Sequence, residues 1–225
     1  MLRTGLVAVV ALLLGSSAWA QDAKYTVKEG KAAAPKELNE KIAALLGDKV
    51  IQVTDSNDKL YCEVWFRNDV PSKATGALNY RKMEQSTLIG AIRVAHKDGW
   101  TDFRGQKINP GVYTLRIGFQ PEDGDHMGTA PYKEFCLLCP ADSDTKPDLI
   151  KDKKELFELS EKASGKSHPA VMMLQPVQKP PAAPRLVDNS GSNTKVLEWK
   201  INLSSGAKKE VLGIGLTLVG KSDAA

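Results

Sequence analysis

The chain is poor in the residues that most enzyme chemistry draws on. Its 225 residues include three histidines and three cysteines, and aromatic residues make up 6%. No G-x-S-x-G occurs, so the strained nucleophile turn of the α/β-hydrolases is excluded. Gly213 and Gly215 stand in an alternating apolar strand and open no helix, so they make no phosphate loop; glycines here suit a bulge or close packing within a strand. The 31 basic and 27 acidic residues are intermixed, with a net charge of +4. The basic stripe that nucleic acid demands is missing. After the first twenty residues no second long apolar run follows, so no further segment reads as a transmembrane helix.

That first apolar run carries the strongest message in the chain. Arg3 supplies a positive start, residues 5–14 are free of charge, and Ala18-Trp19-Ala20 has the small-x-small pattern of a leader cleavage site. The run is too short for a stable bilayer anchor. Residues 1–20 therefore read as a signal peptide, and the mature chain as exported, to the periplasm or the medium. Cleavage after Ala20 of the 225-residue chain leaves 205 residues, enough to bury a core without covalent staples.

Beyond the leader, residues 21–34 are polar and alanine-rich and read as a flexible segment. A short helix should follow, with Pro35 in its first turn, Leu38, Ile42 and Leu45 on one face and Gly47 at its end. The apolar period then falls from about 3.6 to 2. Residues 49–54 and 60–67 form a hairpin around Asp55-Ser56-Asn57-Asp58, with Tyr61, Glu63 and Trp65 on a wet face. Further strands are expected over 87–94, 112–119, 132–140, 170–174, 196–203 and 210–219. In the 112–119 strand Tyr113, Leu115, Ile117 and Phe119 face one way, and Val112, Thr114, Arg116 and Gly118 the other, as in a sheet with one dry and one wet side. Asp148 is placed to cap a second helix over 149–163. Residues 176–184 hold four prolines and read as an extended connection or sheet edge. The sum is an all-β chain: one antiparallel β-sandwich domain over 35–221 with two short peripheral helices.

Cys136-Leu137-Leu138-Cys139 is a C-x-x-C, but it lies in a strand. Residues three apart on a strand face opposite sides, so the two sulfurs diverge. Pro140 stands where haem attachment would need histidine. Two alternatives remain for the thiols: buried small hydrophobes, or a bridge from Cys62 to one of the others.

Two polar or aromatic constellations can carry function. Asp123, Asp125 and His126 share a glycine-bearing loop, and His168 in a second loop can join them. Calcium would take Asp123, Asp125 and backbone carbonyls; zinc would take both histidines and a carboxylate. The same glycines and aspartates also serve as plain turn residues. Trp65, Tyr80, Trp100 and Tyr132 can form a stacking platform for a sugar, or serve as packing. No cofactor beyond such a divalent metal is implied.

The runs Trp100-Thr101-Asp102-Phe103-Arg104-Gly105 through Asn109-Pro110-Gly111-Val112-Tyr113, then Asp123-Gly124-Asp125-His126 and Ser167-His168-Pro169-Ala170-Val171, resemble a pattern in hypothetical exported proteins of planctomycete-like bacteria. The Pro110-Gly111-Val112-Tyr113 turn and strand is also similar to DUF2911-type β-sandwich domains. The first resemblance spans most of the mature chain and implies export and an all-β fold; neither brings a catalytic residue. The expected function is a secreted non-catalytic binding or structural module, its ligand a carbohydrate or envelope component met by Trp65, Asp123, Asp125, His126, Tyr132 and His168. The alternatives are a metal-dependent hydrolase built on Asp123, Asp125, His126 and His168, and a self-associating cell-surface protein.

Overall fold

The structure, a computed structural model, describes residues 25–121, 130–189 and 194–222. Strands dominate it: β1 (Thr26–Lys31), β2 (Lys49–Thr54), β3 (Leu60–Phe66), β4 (Val70–Pro71), β5 (Leu88–Val94), β6 (Trp100–Thr101), β7 (Lys107–Ile108), β8 (Gly111–Phe119), β9 (Glu134–Pro140), β10 (Val171–Pro176), β11 (Arg185–Asn189), β12 (Thr194–Ser205) and β13 (Lys208–Val219). The helices are α1 (Glu40–Ala43) and α2 (Lys153–Ser164). The chain is thus all-β with two short helices, and among the described residues no helix is long and apolar enough to cross a membrane.

Eleven strands share one sheet in the order β1-β2-β3-β5-β8-β9-β10-β13-β12-β11, with β4 parallel to β12 through Val70 and Leu203. A sheet this wide curls under its own twist. The curl brings β12 back to the chain just after β3: Asn202 donates to the Asn68 carbonyl at 3.3 Å beside the β4 pairing. Strands on both sides of the proline-rich stretch therefore belong to the same sheet. Its concave side holds the main core, in which Val64, Ile92, Leu115 and Leu138 meet Leu197, Ile201, Ile214 and Leu216. The two facing layers are stretches of one continuous sheet.

Several local expectations give way to long-range packing. Residues 26–31, read as part of a flexible segment, form β1, which pairs antiparallel with β2 from Thr26↔Thr54 to Lys31↔Lys49. The first helix is shorter than its apolar spacing suggests, starting after Asn39, whose side chain caps Lys41 N at 3.0 Å. The second is capped by Asp152 rather than Asp148; Leu149 is left 40% exposed.

The wet outer face is the largest correction. Leu38, Ile42 and Leu46 cover Val50, Trp65 and Leu88, and α2 covers the outer sides of β9 and β10 through Leu156, Leu137, Val171 and Met173. Between these covers lies Arg116, 0% exposed. Its guanidinium grips Asp144 in two bonds, Nε to Oδ2 at 2.7 Å and Nη2 to Oδ1 at 2.9 Å. Nη1 donates to the carbonyls of Ser86 at 2.7 Å and Asp148 at 3.0 Å, and Nη2 to that of Lys146. Thr114 also donates to Asp144. Asp148 thus serves through its carbonyl, in an extended segment held flat on the sheet, which is why the helix starts later.

Candidate ligand-binding cleft

Across the outer face, the β8–β9 register sets Thr114, Arg116 and Gly118 opposite Cys139, Leu137 and Phe135. Val171 and Met173 of β10 continue two of these rows. Arg116 fills its place in the row. Gly118 does not: a Cβ there would stand 3.1 Å from the Leu137 Cγ. Leu137 leans over the bare backbone of Gly118 instead, and a cavity of about 590 Å³ opens beside it at the end of the face.

Its lining converges from distant segments. Phe103 comes from the turn between β6 and β7, Phe119 from the end of β8, Phe135 from the start of β9 and Phe157 from α2. Phe103, Phe135 and Phe157 belong to the cluster under α2, while Phe119 borders the cavity at the strand end and packs against the main core. Phe103 and Phe135 stand 6.5 Å apart between ring centroids, tilted by 49°. Arg81, itself paired with Glu134 at 2.9 Å, sits 4.4 Å from the Phe119 centroid and holds that ring in place. Arg104, Gln120, Glu161, Ser167, His168 and Ser222 supply the polar part of the lining.

The turn that carries Phe103 and Arg104 is pinned by Asp102. Its buried carboxylate accepts from Arg104 N at 3.0 Å, Gln106 N at 2.7 Å, Gln106 Nε2 at 3.0 Å and Val171 N at 3.0 Å. Phe103 N returns a bond to the Val171 carbonyl at 2.9 Å. Burial pushes the Asp102 carboxyl up in pKa, while these N–H groups pull it down.

The residues singled out from the sequence scatter. Trp65 is 2% exposed and donates through Nε1 to the Ala32 carbonyl at 3.2 Å; it is core beneath α1, not a platform. Trp100 and Tyr80 are buried too, and Tyr80 fastens Gln175 and Gly215 through its hydroxyl at 2.7 and 3.0 Å. Tyr132 is half-buried against the cluster under α2. His168 is exposed and lines the cleft. Asp123, Asp125 and His126 lie outside the described residues. Among the described residues no group of three or more His, Cys, Asp or Glu is arranged to hold a metal. The phenylalanines were missed because each is ordinary in its own segment; only Gly118, a glycine inside a strong strand, signalled a close approach there.

No protein-family model, curated protein or solved structure matches this chain.

The C-x-x-C behaves as its strand spacing predicts. Cys136 faces the main core and Cys139 the cluster under α2. Cys62 and Cys136 share a face, but β5 and β8 lie between their strands. That separation is about 14 Å at ordinary strand spacing, twice what a disulfide spans. All three thiols are free and buried, and burial pushes each up in pKa. In native protein none should react with a thiol reagent over hours, and all three should react once it is denatured. A fast-reacting native thiol would contradict this placement.

Proposed function

We propose that this chain is an exported, non-catalytic binding module whose ligand is an envelope component with an apolar body held in the phenylalanine-lined cleft. The observation that carries the reading is the convergence of Phe103, Phe135 and Phe157 on one cavity that Phe119 and Gly118 border at the strand end. A volume near 590 Å³ falls in the range of small-molecule sites, about 300–1,000 Å³, and an apolar lining with a few polar groups is their usual composition. Such a lining suits an apolar body better than a sugar, whose hydroxyls need many hydrogen-bond partners.

The test is a titration of purified protein with N-phenylnaphthylamine, a neutral dye that brightens in apolar surroundings. Saturable brightening is expected from the native chain, and an about tenfold weaker response from Gly118→Leu, whose side chain, crowded by Leu137 at 3.1 Å from its Cβ, intrudes on the cleft. Phe157→Asn, on a half-buried helix position, gives a second variant should Gly118→Leu fold poorly. No saturable response, or equal responses from native protein and both variants, overturns the reading. Turnover of any member of a glycan, ester and peptide panel overturns its non-catalytic part.

A further inference from the structure

Resting on that cleft reading, we infer that the ligand is an amphipathic acid, its carboxylate held by Arg104 and its chain laid among the phenylalanines. Four of the six arginines the structure describes are paired with carboxylates, Arg81 with Glu134, Arg93 with Glu37 and Glu63, Arg116 with Asp144, and Arg185 with Glu198; of the other two, Arg67 lies away from the cleft. Arg104 lines the cleft and, among the described residues, has no ion-pair partner. It does not pair even with Glu161, which lines the same cavity from α2.

The guanidinium is carried on a rigid base. Asp102 fixes the backbone of Arg104, Gly105 N donates to the Asp102 carbonyl at 3.0 Å, and Gly105 holds φ at +81°, so the turn cannot easily swing away. The stem of Lys221 passes beside Gly105, 3.8 Å from where a Cβ would stand, and adds positive charge on the same side. Planar guanidinium matches a carboxylate in two parallel bonds. Phe103, the neighbour of Arg104, sits in the apolar wall, so head and chain sites are adjacent in the backbone. Glu161 lies on the helix side and repels a carboxylate from there, which leaves the Arg104 side for the head group.

The experiment displaces bound N-phenylnaphthylamine from intact protein with laurate, dodecanol and dodecylamine, which share a chain and differ in head charge. Laurate is expected to displace the dye at about tenfold lower concentration than dodecanol, the scale of one charge-assisted contact, and to lose that lead as salt is raised. Arg104→Gln should bring laurate to the level of dodecanol. Glu161→Gln should strengthen laurate several-fold and weaken dodecylamine. If the dye binds but dodecanol or dodecylamine equals laurate, or Arg104→Gln keeps the preference, the acid assignment falls and the cleft reading stands. If the dye never binds, both fall.

Discussion

Replacing Arg116 with alanine is expected to destabilise the protein by about 3–5 kcal/mol, the scale for breaking a buried ion pair from one side. All of its N–H groups are engaged: two bonds to Asp144 and three to the carbonyls of Ser86, Lys146 and Asp148. The alanine variant strands a carboxylate that is 3% exposed together with those carbonyls. Asp144→Ala should cost a similar amount, because the guanidinium then keeps neutral partners only. The two changes together should cost clearly less than their sum, since each single change already removes the interaction the other would lose. Lysine at 116 should not rescue, because a point charge cannot span the fork of acceptors. Urea unfolding followed by tryptophan fluorescence measures all four proteins at constant m. A loss under about 1 kcal/mol for Arg116→Ala would mean that the network contributes no more than a surface pair. Amide exchange adds a local readout: residues 141–150 should lose protection before the rest of the sheet.

Trp65→Ala is the second large effect, expected at about 3–5 kcal/mol. The ring fills the space between β3 and the segment carrying Leu38, Ile42 and Leu46, and its N–H is satisfied by Ala32. Removing it leaves a cavity under α1 and frees the chain that leads from β1. Trp65→Phe keeps most of the volume and should cost less than half as much. Dye binding in the cleft should be unchanged in folded Trp65→Phe, since the cleft is lined by other residues. A binding-platform tryptophan would give the reverse pattern, with stability kept and ligand lost. That outcome would place Trp65 at the surface and overturn the packing described here.

Much of the sheet was legible because strand pattern is local. Residues 49–54 appear as β2 with the expected bounds, and the turn at Asp55 forms with its carboxylate accepting from Asn57 N at 2.8 Å and Lys59 N at 3.0 Å. The opposite facing of Cys136 and Cys139 follows from pleat geometry alone. The strand β1 was hidden because its residues are mostly exposed at a sheet edge, so no apolar alternation marked it. The outer face was misread for a related reason. Arg116 and Thr114 look like solvent-facing residues in their own strand, and only residues 141–150, arriving from beyond β9, make them interior. The cleft was invisible in the same way: His168 was named for a different chemistry, and the four phenylalanines belong to separate elements.

The amino-acid order by itself determined which stretches alternate, hence the all-β class, the hairpin positions and the direction each side chain takes from its strand. Those depend on neighbours a few residues away, and the pleat converts spacing directly into facing. Only the tertiary structure decided which of the two facings meets water. That depends on which remote segment lies over the sheet: residues 38–46 over Trp65, residues 141–150 over Arg116, and α2 over Leu137. Burial is a property of those long-range contacts, and no local pattern encodes it.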